Sequence, residues 1–238
     1  MSSLRVSAPS WAWRVDPMTI SNESRGAIKK IFEPIALAMG RIGLTPNGLT
    51  LIGFAITTVG AILTGAQAWV IGGIVVFVGG VFDMFDGTLA RATGKASKFG
   101  AFMDSTFDKL GEILVFIGCI AALGNSNVGN IPVLVAAGAM GASIMVSYTR
   151  AKSDALGYSS GMGLAAVGIM PREIRLVIIS LGTVLTGTSI GISALEFALG
   201  VILVGAVITV IQRILHVQSQ AKSADNPPVT STTTEHTE

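Results

Sequence analysis

Between Phe82 and Lys109 the chain reads FDMFDGTLARATGKASKFGAFMDSTFDK. Four aspartates stand there in two pairs, within or at the ends of apolar segments. Asp83 and Asp86 are three residues apart, and Asp104 and Asp108 are four apart. Either spacing puts both carboxylates on one helix face. The connection between the segments is short, so the two pairs can face each other at one depth. Ionisable groups among apolar helices are expensive, and the default reading is functional. Carboxylates gathered without partners repel one another and protonate. Arg91, Lys95, Lys98 and Lys109 can offset part of that charge. A divalent ion offsets more, and all-oxygen ligation suits Mg²⁺, with Mn²⁺ as the alternative. Two ions shared by such a cluster can hold a pyrophosphate and stabilise both the attacking and the leaving oxygen.

The small residues nearby fit that chemistry. Gly87 follows Asp86 directly and leaves backbone open to a ligand. Gly100 lies one turn before Asp104, where a larger side chain would fill the space above the metals. Ala90 is small at a comparable position, and Arg91 suits a phosphate.

The elements that position these residues are apolar. Half of the 238 residues are hydrophobic and 13% are charged, where a soluble domain carries about 25% charged residues. Mean hydropathy is +0.68. This composition predicts an all-α membrane protein with no separate soluble domain. Residues 22–42 carry Lys29, Lys30 and Arg41 against Ile28, Ile31, Phe32, Ile35 and Leu37, a pattern expected of an amphipathic interfacial helix. Six transmembrane helices are expected after it, at about 48–66, 69–92, 99–123, 131–152, 173–190 and 193–215. Residues 1–21 read as a flexible arm without a signal peptide. Residues 22–216 read as the membrane domain, and residues 217–238 as a disordered polar tail. Cys119 reads as a small buried hydrophobe. Lys and Arg, 16 in all, avoid the first, third and fifth connections. Both termini and the aspartates are therefore expected on the cytoplasmic side of a cell (inner or plasma) membrane.

A second cluster of charge sits at the same end. Arg150 and Lys152 close the fourth apolar segment, and Arg172 and Arg175 open the fifth. Arginine forks recognise phosphate well, so these residues suit a phosphorylated acceptor. The alternative is a headgroup-facing surface that follows the positive-inside bias.

The spacing Asp83-x2-Asp86-Gly87-x2-Ala90-Arg91-x8-Gly100-x3-Asp104-x3-Asp108 matches, at each of its fixed positions, the signature of the CDP-alcohol phosphotransferases. The chain resembles that family over about residues 22–216. The Ser147–Lys152 run and the Arg172-Glu173-x-Arg175 motif look most like those of the phosphatidylinositol phosphate synthases and their archaeal ether-lipid counterparts. The resemblance implies that Asp83, Asp86 and Asp104 hold one metal, with Asp83, Asp104 and Asp108 around a second. It makes Asp108 the base that takes the acceptor's hydroxyl proton. It places Asn47, Gly48, Leu49, Thr50, Gly87, Ala90, Arg91, Ser97 and Gly100 around a CDP-linked lipid donor such as CDP-diacylglycerol. It implies inositol 1-phosphate as the acceptor, bound by the basic cluster, and CMP as the leaving group. Glycerol 3-phosphate is the alternative acceptor. A homodimer among membrane lipids is implied as well.

Two rival classes make different demands. A cation transporter would spread carboxylates through the membrane depth, whereas here only Glu196 falls on the outer side. A scaffold would not require Arg91 and Gly100 at fixed distances from the aspartates. Nucleic-acid binding has no support, because the basic residues follow the expected topology.

Overall fold

The computed structural model describes residues 22–158 and 167–225. The expected N-terminal arm, the stretch 159–166 and the part of the expected 217–238 tail beyond residue 225 lie outside the described residues, as do the side chains of the amphipathic segment up to Ile31. Residues 217–225, expected within that tail, are helical instead. The described elements are helices: α1 (Asn22–Arg41), α2 (Pro46–Gly65), α3 (Trp69–Ala92), α4 (Lys98–Gly124), α5 (Asn130–Ala155), α6 (Arg172–Thr186) and α7 (Ser193–Asp225). Their starts follow local chemistry. Thr45 caps α2, with its hydroxyl accepting from the Gly48 N–H, and Pro46 occupies the first turn. Ser97 caps α4 in the same way through the Gly100 N–H at 3.0 Å.

The six helices α2–α7 coincide with the six apolar segments, but the expectation of six membrane spans is corrected. Among the described residues, four helices are long and apolar enough to cross a membrane: α2, α3, α5 and α7. Helix α4 is long enough, but Asp104, Asp108, Lys109 and Glu112 interrupt its first half. Helix α6 has 15 residues. At 1.5 Å per residue it rises about 22 Å, short of a hydrocarbon core of roughly 30 Å. The chain is a multi-pass membrane protein whose outward faces are apolar, as at Ile62, Phe197 and Val204.

Backbone-to-backbone approach holds the bundle together. A Cβ on Gly79 of α3 would lie 2.9 Å from the Thr57 nitrogen of α2, and one on Gly118 of α4 would lie 2.3 Å from the Ala61 carbonyl oxygen. Only glycine permits those crossings, which bring α3 and α4 against α2. The main core joins Val76, Phe116, Cys119 and Leu123 to Leu195, Leu199 and Ile202 of α7. Cys119 is fully buried there. A second cluster of Ala36, Leu49, Phe85 and Leu89 ties α1 to α2 and α3. The Phe32 and Phe85 ring centroids are 5.1 Å apart. Helix α1 therefore braces the end of α3 that carries Asp83 and Asp86.

Candidate active site

The aspartates stand on the last turns of α3 and the first turns of α4. Asp86 is buried. Its Oδ2 accepts a 2.5 Å hydrogen bond from the Thr50 hydroxyl of α2, and its Oδ1 accepts from the Gly87 N–H. Asp83 points to α2 and α6. A Cβ on Gly53 would lie 2.3 Å from Asp83 Oδ1, so glycine at that position leaves room for the carboxylate. The Arg172 guanidinium of α6 spans the gap between the helices. Its Nη2 donates to Asp83 Oδ2 at 2.7 Å, and its Nη1 lies 3.0 Å from Asp108 Oδ1. The Phe54 and Phe107 rings, 5.0 Å apart, fix the face that α4 turns to α2 beside Asp108.

An open cavity of about 170 Å³ lies next to this cluster. Asn47, Thr50, Asp86, Gly87, Ala90, Arg91, Ser97, Gly100 and Asp104 line it, joined by Lys95. A Cβ on Gly100 would approach Ser97 Oγ and Asn47 Oδ1 at 3.1 and 3.3 Å, so the glycine keeps that wall low. Gly48 and Leu49 do not line the cavity. The Gly48 N–H is spent on the Thr45 cap, and Leu49 is fully buried against Phe85 and Leu89.

The four basic residues divide. Arg150 is exposed, 4.0 Å from Asp154, and Lys152 is exposed as well. Arg172 is mostly enclosed between the two carboxylates. Arg175 is turned into the bundle with 2% of its side chain exposed, against Glu112. Sequence reasoning missed Thr50's bond to Asp86, the space that Gly53 leaves for Asp83, Glu112 and Arg213. Arg213 of α7 is buried and donates to the Val167 and Val146 carbonyls. It lies in the electrostatic neighbourhood of Arg150 and Arg175. A charged residue on the most apolar span was its one sequence signal.

On the polar first half of α4, burial raises the Asp104 and Asp108 carboxyls above the ordinary carboxylate range. Arg172 opposes that rise at both, and Asp83 adds to it. Among the described residues, no three acidic or imidazole groups close into a metal cage. The donor set still fits a hard divalent cation: all oxygen, on two facing helix ends, with burial disfavouring the charge that a cation would neutralise.

The sequence profile described as CDP-alcohol phosphatidyltransferase matches residues 43–217. The archaetidylinositol phosphate synthase of Pyrococcus horikoshii is 37% identical over 168 residues, covering 71% of this chain and 84% of that protein. The crystal structure of the Mycobacterium tuberculosis phosphatidylinositol phosphate synthase with CDP-DAG bound superposes with a TM-score of 0.71 at 29% identity, over 80% of this chain and 94% of that one. The same enzyme in complex with manganese and citrate gives 0.70 at 30% identity, over 79% and 89%. The chain belongs to the CDP-alcohol phosphatidyltransferase family. It is an enzyme that transfers the phosphate-linked group of a CDP-linked lipid, and its relationship to the phosphatidylinositol phosphate synthases is close.

Proposed function

We propose that the enzyme joins the phosphatidyl group of CDP-diacylglycerol to inositol 1-phosphate, releasing CMP and forming phosphatidylinositol phosphate. The observation that carries this reading is the placement of Arg172 against both Asp83 and Asp108. A phosphate-binding fork then stands beside the base that receives the acceptor's proton.

In this reading the cytidine end of the donor occupies the cavity between α2, α3 and α4. Arg91 and Lys95 face its phosphates, and Asn47, Ser97 and Gly100 shape the wall. Asp83, Asp86, Asp104 and Asp108 hold Mg²⁺ or Mn²⁺. Bound there, the metal neutralises charge on the pyrophosphate and on the leaving CMP. Thr50 orients Asp86 through its hydrogen bond. Asp108 removes the proton from the inositol hydroxyl. The hydroxyl oxygen bonds to the lipid-bearing phosphorus, and the bond from that phosphorus to the bridging oxygen breaks. CMP leaves with that electron pair. Arg150, Lys152 and Arg172 bind the acceptor's phosphate, with Arg175 supporting Arg172 from within the bundle.

The catalytic unit in this proposal spans residues 22–216. The aspartates face the cytoplasm, in keeping with the crowding of Lys and Arg at their end of the chain. The enzyme works as a homodimer embedded in membrane lipid.

The test is CMP release by the purified protein with CDP-diacylglycerol and Mg²⁺. Inositol 1-phosphate, glycerol 3-phosphate, free inositol and serine are supplied separately. Release with inositol 1-phosphate alone is expected. Release with glycerol 3-phosphate alone would keep the chemistry and replace the acceptor.

A further inference from the structure

Helices α4 and α6 meet through two charged rungs. Asp108 and Arg172 form the first. One turn deeper, Arg175 Nε donates to Glu112 Oε1 at 2.7 Å, and Nη2 lies 2.6 Å from the same oxygen. The other oxygen, Oε2, accepts from Lys109 Nζ at 2.8 Å. Glu112 follows Asp108 by four residues and Arg175 follows Arg172 by three, so both rungs lie on matching helix faces.

The second rung is costly to build. Arg175 exposes 2% of its side chain and Glu112 11%, and buried ions are no more stabilising than well-packed apolar groups of similar size. Apolar packing does not close this gap. A cavity of about 20 Å³ remains between the rungs and Val115, Phe116, Leu176 and Ile179. The ion pair spans the space that side-chain packing leaves.

Arg175 has one more contact, and that contact leads toward the site. Its Nη1 donates to the Met170 carbonyl at 2.8 Å. The Met170 N–H in turn donates to Thr209 Oγ1 of α7 at 3.0 Å. Met170 stands two residues before Arg172, with only Pro171 between, and the proline ring fixes φ there. The partner of Glu112 therefore anchors the backbone from which Arg172 projects.

We infer that Glu112 is a positioning residue. Acting through Arg175 and the Met170 carbonyl, it sets where the Arg172 guanidinium stands against Asp83 and Asp108, and so sets the acceptor's phosphate subsite. This inference rests on the reading of Arg172 as an acceptor-phosphate residue. Glu112 touches no substrate.

The experiment measures CMP release by the full chain carrying Glu112→Gln, Arg172→Ala or both, with donor and acceptor varied separately. Glu112→Gln is expected to raise the acceptor KM about tenfold with the donor KM close to the parent's, and to lower the thermal midpoint, because the buried Arg175 loses its counter-charge. Glu112→Asp, which keeps the charge, is expected to recover part of that loss. On the Arg172→Ala background, Glu112→Gln should add less than about twofold, because its route to the substrate is already cut. An unchanged acceptor KM, equal rises for donor and acceptor, or a full second loss on the Arg172→Ala background would each overturn the inference. If Glu112→Gln does not fold, the paired Glu112→Leu/Arg175→Leu variant removes both ions and retains apolar bulk. Weak acceptor binding by that variant supports the inference, and a parental acceptor KM overturns it. Arg172→Ala with an unchanged acceptor KM would instead sink the reading of Arg172 itself, and this inference with it.

Discussion

Asp83 and Arg172 stand 89 positions apart in the chain, yet Arg172 Nη2 donates to Asp83 Oδ2 at 2.7 Å. That contact draws the start of α6 onto the end of α3 and links the two polar clusters of the sequence into one site. The same guanidinium reaches Asp108 on α4, so three helices converge on one side chain.

Arg172→Ala removes that link. We expect the acceptor KM to rise roughly 10- to 100-fold, the loss of one or two charge-assisted hydrogen bonds. The donor KM should change much less. Arg172→Lys keeps the charge without the fork and should fall between the two. Separate Michaelis curves for donor and acceptor decide the matter, and equal effects on both would assign Arg172 a structural role.

Asp108→Asn keeps the shape of the side chain and removes the base. Turnover should fall by about 10² to 10⁴, the usual share of general-base catalysis, or further if a metal ligand is lost as well. Nucleotide binding should survive in part, because Asp86 and the cavity wall are untouched. Calorimetry with a cytidine diphosphate ligand, run beside the turnover assay, reads both quantities. Normal turnover would remove Asp108 from the mechanism.

Thr50→Val replaces the hydroxyl that holds Asp86 with a methyl of similar size. A partner of a metal ligand typically contributes 10- to 100-fold in metal affinity, so the Mg²⁺ concentration for half-maximal activity should rise about tenfold. A Mg²⁺ titration of CMP release tests this, with saturating metal expected to restore most of the rate.

Gly53→Ala places a methyl where Asp83 Oδ1 now stands, at 2.3 Å. The carboxylate must rotate away, because the atom in the way is the end of a side chain and the α2 backbone is held by its packing. We expect folding to be retained and activity to drop by about 10² from misplacement of the ligand. A parental rate would show that Asp83 tolerates another rotamer.

Much of this site was legible in the sequence, because its chemistry is local. The aspartates, Gly87, Ala90, Arg91 and Gly100 lie within one stretch, where three- and four-residue spacings on helices dictate shared faces. Asn47 and Thr50 were reached only through family resemblance, and the cavity brings both beside that stretch. Leu49 and Gly48 carry the same resemblance, but helix geometry turns Leu49 into the core. Glu112 and Arg175 were harder to read. Their pairing depends on how α4 meets α6 in space, and no periodicity records that. Gly53 was hidden for the same reason, since its role is to leave volume for a residue on another helix. The number of spans was over-read. Apolar segments at α4 and α6 gave the right helices, but the charges in α4 and the short length of α6 keep both outside the set that can cross alone.

The most direct measurement of the central claim is ³¹P NMR of the lipid fraction after incubation with CDP-diacylglycerol, inositol 1-phosphate and Mg²⁺. Transfer to a phosphorylated acceptor predicts loss of the donor's pyrophosphate pair. A phosphodiester and a phosphomonoester should replace it in equal amounts on one lipid, with CMP in the aqueous phase. A pyrophosphate pair left intact, or a new lipid diester without its monoester, would contradict the account.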